Sequence, residues 1–351
     1  MKTSEYDFTK IPFDKIERVG QISMLKNDMF TVSWLLGRYC NYKCSYCWTH
    51  GRADKPDHRP TELCLKTIDS IKEQARSRGF NSFHFSLSGG EPTLHPGYFD
   101  ILDRLIEDIS NTKYTSIHMT TNLSKGYKWF DTYIEKALAF HRASITASYH
   151  PEYAKNNEKF ADKLNYIQSF GIKITINMVM VPEKFDKLYE IATYFHNRGL
   201  NVTLKPQSDP HANHVVEGYT KDQLDILHNG MPQEYNKKQF MQVELTDEDG
   251  KAWFMDQAER FNAFNFNCFK GWECSSGYRS IIIREPCGSI KRSYSCPDKP
   301  LGNIETGFKL HEKVTECISE SCVSSADSKI PKRKRGSQLE LWNTNKNKIQ
   351  R

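Results

Sequence analysis

The sequence predicts an α/β chain: a partial (β/α)6 barrel followed by a small β-hairpin-containing domain stapled by cysteines. Three features carry that prediction. Short β-branched or aromatic runs alternate with stretches of helical period from Thr31 onward, turn residues mark the joins, and the cysteines fall into two groups. Strands separated by helix-length segments read as βαβ units with parallel strands. Such sheets carry their active sites at the carboxyl ends of the strands. Six strands fall short of a closed eight-stranded barrel, so an open partial barrel leads, with a flat doubly wound sheet as the other arrangement.

The strands are expected at Thr31–Leu36, Ser82–Leu87, Tyr114–Met119, Arg142–Ala147, Lys173–Val179 and Asn201–Lys205. Helices are expected near Thr61–Arg78, Tyr98–Ser110, Lys128–Ala139, Asn157–Phe170 and Pro182–Arg198. Arg78-Gly79-Phe80-Asn81, Phe170-Gly171 and Arg198-Gly199-Leu200-Asn201 supply the stop signals. Residues 1–30 read as an N-terminal extension, 31–207 as the partial barrel and 208–266 as a connecting, partly helical segment. In 267–327 cysteines and glycines dominate. There Ser280–Arg284, the turn Glu285-Pro286-Cys287-Gly288 and Ser289–Ser293 make a hairpin inside a small stapled domain. Residues 328–351, rich in Lys and Asn, read as a basic flexible tail.

Composition narrows the function classes. With 38% hydrophobic and 26% charged residues over 351, a sizeable core can form and wholesale disorder is excluded. No apolar run reaches the ~18–20 residues of a membrane span. The N-terminus MKTSEYDFTKIPFDKIERVG lacks the apolar stretch of a signal peptide. A cytoplasmic chain with no membrane contact is the expectation. Lys plus Arg (49) exceed Asp plus Glu (43) by only 6, and part of that excess is the run Lys332-Arg333-Lys334-Arg335. So mild a bias argues against nucleic acid as the main partner, and the run reads as a solvated end. Ten cysteines are the strongest compositional signal: four lie in the first 64 residues and six between Cys268 and Cys322. In a reducing compartment such groups point to two metal or redox sites rather than to disulfides.

The first group follows the first strand as Arg38-Tyr39-Cys40-Asn41-Tyr42-Lys43-Cys44-Ser45-Tyr46-Cys47-Trp48, a Cys-x3-Cys-x2-Cys spacing. Three thiolates on a tight loop can ligate three irons of a cubane [4Fe–4S] cluster and leave the fourth open. A zinc loop completed by His50 is the other reading. Cys64 falls outside the motif and reads as a buried helix thiol. One βα unit later comes Ser86-Leu87-Ser88-Gly89-Gly90-Glu91-Pro92-Thr93. Two glycines permit close backbone approach, and the turn places a carboxylate at the strand's carboxyl end.

Cys40, Cys44 and Cys47, with Tyr46 before the last, resemble the signature of radical S-adenosylmethionine (SAM) enzymes. The likeness extends over roughly Thr31 to Asp327. It implies that Cys40, Cys44 and Cys47 are the catalytic cluster ligands and that the open iron binds SAM. Reductive cleavage then gives methionine and a 5′-deoxyadenosyl radical. It further implies Tyr46 near the adenine and the turn Gly89, Gly90 and Glu91 at the methionine ammonium. Asn122, Ser148 and Asn177, at strand ends, are further candidates for SAM, and Lys205 and Gln207 for substrate. His150, before Pro151, reads as a solvated loop residue. An external electron donor such as flavodoxin or ferredoxin is implied.

The second group resembles the auxiliary-cluster domain of the same enzymes, called twitch in its single-cluster form and SPASM in its two-cluster form. Its marks are Cys274-Ser-Ser-Gly277 leading into the hairpin, Cys296 after it, Leu301-Gly302-Asn303-Ile304, and the close pair Cys317 and Cys322. The resemblance implies Cys274, Cys296, Cys317 and Cys322 as ligands of one auxiliary [4Fe–4S] cluster. Ser324 stands where relatives often place a further cysteine, which tells against a second auxiliary cluster. Cys268 and Cys287 have no place in the pattern, and a zinc ribbon is the alternative reading. Three functions follow: radical SAM chemistry on a small-molecule or nucleoside-type substrate, radical SAM modification of a ribosomally made peptide, or a non-enzymatic zinc-binding protein.

Overall fold

The computed structural model describes residues 8–342 apart from 27, 48–51, 210–213, 232–241, 257, 259, 295 and 323. The chain begins with β1 (Ile16–Gln21), then runs through β2 (Met29–Leu35), β3 (Ser82–Ser88), β4 (Tyr114–Thr121), β5 (Arg142–Tyr149), β6 (Lys173–Met180) and β7 (Val202–Pro206). Helices Thr61–Arg76, Tyr98–Ile106, Tyr127–Ala137, Asn157–Ser169 and Phe185–Asn197 connect β2 through β7, close to where periodicity places them. Each buries one apolar stripe. Tyr98, Ile101, Leu102 and Leu105 of the second recur at helical spacing and face the sheet. Asn156 caps the fourth, its side chain accepting from Lys159 N at 2.8 Å. Each Leu or Ile so buried contributes roughly 1.5–3 kcal/mol.

Strands β2 to β7 pair parallel in sequence order, from Met29↔Ser82 to Met180↔Pro206. Every strand alternates. Phe30, Val32, Trp34, Phe85, Ile117 and Ile145 are buried under the helices, while most of their chain neighbours on the opposite face, Met29 and Ser116 apart, stay partly exposed.

The remaining strands are β8 (Val243–Asp247), β9 (Ala252–Met255), β10 (Glu273–Cys274), β11 (Ser280–Arg284), β12 (Ser289–Lys291), β13 (Gly302–Asn303), β14 (Gly307–Phe308), β15 (Thr315–Glu316) and β16 (Lys332–Arg333). Their placement corrects several expectations. The β11–β12 hairpin forms as expected, but β11 joins the main sheet, parallel to β2 with Ser280 opposite Thr31 and Ile283 opposite Trp34. The parallel strands therefore number seven, with β12, β13 and β14 extending the edge antiparallel. Ile281, Ile282 and Ile283 are all buried, which suits a strand covered on both faces.

A second sheet, ordered β15-β10-β16-β1-β8-β9, draws on segments read as extension, connector and tail. The extension supplies β1. The connector, besides the capped helix Lys221–Asn229, supplies the β8–β9 hairpin. The tail supplies β16, pairing with β10 on one side and β1 on the other. Part of the basic run is thus packed rather than solvated: Lys332 is 1% exposed and Arg333 Nε bonds Glu273 at 2.8 Å, whereas Arg335 stays exposed as expected. The core here joins Ile16, Val19, Leu245, Phe261 and Phe269 to Cys274, Cys317 and Cys322.

Candidate active site

The loop after β2 carries Cys40, Cys44 and Cys47 and is held from three sides. Asp57 anchors its start, accepting from Arg38 N (2.8 Å), Tyr39 N (2.9 Å) and Arg38 Nε (3.2 Å). The Gly89-Gly90-Glu91 turn lies against the same backbone, with Gly90 N donating to Gly37 O and Glu91 N to Tyr39 O, both at 2.9 Å. A Cβ on Gly89 would meet Gly37 O at 2.2 Å, and one on Gly90 would meet Arg38 O at 2.2 Å. The close approach these glycines permit is therefore to the cysteine loop itself.

The segment after β5 forms the third side. Tyr153 Oη accepts from Lys43 N at 2.6 Å, and its ring stacks on Tyr42 with centroids 4.1 Å apart. Glu152 accepts from Ser45 N at 3.0 Å. His150 Nδ1 lies 3.2 Å from Cys44 Sγ and 3.0 Å from Tyr46 Oη. Burial lowers the His150 pKa to about 4, so the imidazole is neutral at pH 7. The reading of His150 as a solvated loop residue is corrected: it braces the loop.

Glu91 is 1% exposed, and its carboxylate faces inward. Oε1 accepts from Thr93 N (3.2 Å), Thr93 Oγ1 (2.6 Å) and Thr121 Oγ1 (2.8 Å), and Oε2 accepts from Asn122 N at 2.6 Å. Its work in this structure is to tie the turn to the end of β4. Asn122 in turn donates through Nδ2 to Asn41 Oδ1 (2.9 Å) and to Cys40 Sγ (3.7 Å).

The strand-end candidates gather at the carboxyl end of the sheet. Ser148 stands opposite Asn177, and Asn122 follows Thr121, the partner of Ala147. Lys205 pairs with Val179 one strand further out. Gln207 is tied by its backbone, its N–H donating to Tyr219 Oη at 2.7 Å. His50, the ligand a zinc loop would need, lies outside the described residues.

The thiols are placed for a group that brings positive charge. Burial pushes the Cys44 thiol up to about 12, with Glu152, Cys47 and Cys40 adding to the effect. Burial likewise raises Cys40, against the Tyr42 N–H. Tyr46 is raised too, first by burial and then by Cys44. Irons at these sulfurs would remove the cost of a buried thiolate, so the donor set fits an iron–sulfur group.

The second cysteine set is buried as a unit. Cys274, Cys296, Cys317 and Cys322 are each at most 6% exposed, whereas Cys268 and Cys287 are exposed. Cys317 and Cys322 both feel the charges of Cys274 and Cys296, which places the four thiols together. Lys332 stands opposite Cys274 in the sheet. Its ammonium, fixed by the carbonyls of Asp327 (2.6 Å), Ile330 (3.0 Å) and Ser328 (3.2 Å), faces Cys322, Cys274 and Cys317. Arg292, 3% exposed, pairs with Asp298 at 2.7 Å and also feels Cys296 and Cys274. Two buried cations beside four thiols fit an anionic tetrathiolate site. Among the described residues no three His, Cys, Asp or Glu side chains close on a single-ion site.

Several of these residues escape sequence reasoning. Asp57 lies in a stretch with no motif, Glu152 and Tyr153 follow a plain loop, and Lys332 sits in what looks like a solvated charge run.

Residues 34–195 match the family model described as the radical SAM superfamily. One curated relative, GTP 3′,8-cyclase of Crocosphaera subtropica, is 37% identical over 86 residues. That match covers 24% of this chain and only 23% of the cyclase's length. Among solved structures, native anSMEcpe with bound AdoMet and Kp18Cys peptide superposes with a TM-score of 0.53 at 15% identity, covering 80% of this chain and 79% of that one. Native anSMEcpe with bound AdoMet alone gives 0.51 at 15% over the same shares. At such identity the likeness is one of fold: a radical SAM α/β fold with a mostly parallel sheet. Over residues 34–195 the chain thus matches the radical SAM superfamily, and that match supports an enzyme.

Proposed function

We propose, from the premise that residues 34–195 are a radical SAM domain, that this chain cleaves SAM reductively at Cys40, Cys44 and Cys47 and turns the resulting radical on a small-molecule or nucleoside-type substrate. The observation that carries the reading is the three-thiol loop, clasped by the glycine turn, Asn122 and His150 at the carboxyl end of the sheet. When bound, a cluster with one open iron supplies the electron that cleaves the sulfonium to methionine and a 5′-deoxyadenosyl radical. The chain's own residues position and exclude. Asp57 and the Gly89-Gly90 turn fix the loop's path, and Glu91 holds the turn to β4. Neutral His150 braces Cys44 and Tyr46. Asn122, Ser148 and Asn177 offer amide and hydroxyl groups to SAM beside the loop, and Lys205 and Gln207 lie further along the same edge toward substrate. The sheet is read as the wall of a partial (β/α)6 barrel.

Cys274, Cys296, Cys317 and Cys322 are read as holding an auxiliary [4Fe–4S] cluster in a twitch-like arrangement. With four protein ligands it has no iron free for SAM. Its roles are electron transfer with a substrate radical, or shaping the substrate pocket. A flavodoxin or ferredoxin supplies the electron in a cytoplasmic setting. The local likeness to GTP 3′,8-cyclase supports a small-molecule substrate, and modification of a peptide is the outcome that would displace it. The test is incubation of the reduced, reconstituted protein with SAM and cell extract, following 5′-deoxyadenosine and deuterium carried into it from substrate. Cys40→Ala, Cys44→Ala and Cys47→Ala should each abolish cleavage. Substantial 5′-deoxyadenosine from a protein lacking all three thiols would overturn the assignment, and zinc without acid-labile sulfide would favour a binding protein.

A further inference from the structure

Parallel sheets are ordinarily covered by helices on both faces and read as near-continuous apolar runs. Barrel interiors are ordinarily filled with branched aliphatic side chains. The sheet of this protein does neither on one face. Opposite the helices, β2 to β7 present small hydroxyls, imidazoles and amides that stay partly exposed, as at Ser86, His118, Thr146 and Asn177. None of the alternating residues on that face is Asp or Glu, and the carboxylate that reaches it is Asp28, which accepts from Ser82 Oγ at 2.8 Å. Small polar groups leave this face hydrophilic, and Thr31 Oγ1 on it is buried without a partner.

At the amino-terminal base of this face stand Arg142 and Lys173, with Lys329 near enough to act on both His84 and His118. Arg142 is in register with Ser116, and Lys173 with Ser144. Both are exposed, and among the described residues neither has a carboxylate within ion-pair distance. They lie close enough that Arg142 lowers the proton affinity of Lys173. Above them His84 Nδ1 meets Ser116 Oγ at 2.8 Å and His118 Nδ1 meets Ser144 Oγ at 2.9 Å. With Nδ1 used by the serines, each ring has Nε2 left to offer.

We propose that this face binds a phosphate-bearing, hydroxyl-rich small molecule, its phosphate on Arg142 and Lys173 and its body along the imidazoles and hydroxyls toward the cysteine loop. A phosphate monoester carries about −1.5 to −2 charge at pH 7, which two unpaired cations match and a single carboxylate does not. Arg adds a planar fork suited to phosphate oxygens. Ser148 lies six positions along β5 from Arg142, about 20 Å of strand, and the long Arg142 and Lys173 side chains shorten that span. A cationic substrate would meet like charge at Arg142 and Lys173, and an apolar one would leave both cations without a counter-charge. The proposal names the substrate class for the site described above and rests on that reading for where the chemistry occurs.

The test is calorimetric titration of the full chain with inorganic pyrophosphate, with citrate as the carboxylate comparison and no SAM present. Pyrophosphate should bind the wild type, and the R142Q K173Q variant should bind at least about tenfold more weakly, the loss expected for charge-assisted contacts. The K128Q K187Q variant, two exposed lysines on helices, should bind as the wild type does. Pyrophosphate binding unchanged in R142Q K173Q, or absent from the wild type, would overturn the proposal. So would equal loss in K128Q K187Q, which would make the effect one of net charge. Citrate binding as tightly as pyrophosphate would overturn the phosphate class. Melting curves check that R142Q K173Q is folded, and each single substitution carries the test if the pair does not fold. Because no step needs SAM cleavage, a protein that binds pyrophosphate here but makes no 5′-deoxyadenosine would refute the radical SAM reading and leave the anion site standing.

Discussion

Removing the Glu91 carboxylate should destabilise the protein, and the size of the effect follows from the groups it satisfies. Two backbone N–H groups, of Thr93 and Asn122, and two hydroxyls, of Thr93 and Thr121, donate to it in a site 1% exposed. In Glu91→Ala the hydroxyls can rotate, but the two N–H groups stay where the backbone holds them. A stranded buried donor costs about 1–3 kcal/mol, so the pair costs about 2–6 kcal/mol before any cavity is counted. At roughly 2 °C per kcal/mol for a chain this large, the melting temperature should fall by about 4–12 °C. Glu91→Gln fills the space but offers a neutral amide to the same donors, and it should fall between. The assay is thermal unfolding followed by circular dichroism, with SAM titration on the same samples. If Glu91 organises the turn, lost SAM affinity accompanies lost stability. A Glu91→Ala protein that melts within about 1 °C of wild type yet binds SAM poorly would refute this and make Glu91 a direct ligand contact.

Other outcomes follow from the same structure. A variant lacking Cys40, Cys44 and Cys47 should still bind about four irons, the content of one cubane. Adding Cys317→Ser should remove them and loosen the second sheet, as measured by iron assay and limited proteolysis. Lys332→Met strands three carbonyls and should cost on the order of 3 kcal/mol in urea unfolding; an unchanged midpoint would place the ammonium elsewhere. Burial first, then nearby Lys329 and Arg142, hold His118 at about 4, and burial, His118, Lys329 and Arg142 hold His84 at about 3. Unfolded imidazoles take a proton near 6.5 that these refuse. Their contribution to stability is therefore full above pH 6.5 and declines as pH falls toward 4. Melting temperature should drop between pH 7 and 5, less so in His118→Asn, and equal slopes would contradict the assignment. Burial works against ionisation of Cys287, but hydrogen bonds at Ser289 outweigh it and lower its pKa. Cys287, at an exposed hairpin tip, should therefore be alkylated by iodoacetamide before buried Cys64; the reverse order by mass spectrometry would exclude it.

What the sequence determines by itself is local and periodic. The strands 82–88, 114–121, 142–149 and 173–180 are legible because one of their faces must be buried, which writes a period of two into the residues. The helices between them are legible for the matching reason at a period of 3.6. Cys40, Cys44 and Cys47 are legible because ligands on one tight loop need fixed spacing, and Cys274, Cys296, Cys317 and Cys322 because cysteine is rare enough for its pattern to stand out. Tertiary structure alone decides the partners of short or ambiguous segments. A two-residue strand such as Lys332-Arg333 has no period to read, and its basic run looks solvated until β1 and β10 close on it. Ser280–Arg284 reads as a strand, but its own residues do not say that Met29–Leu35, some 250 positions earlier, is its parallel neighbour. Nor does a lone Asp57 or His150 show that it will brace the cysteine loop. These contacts join segments far apart in the chain, and the groups on each side acquire their burial, charge and partners only when the fold brings them together.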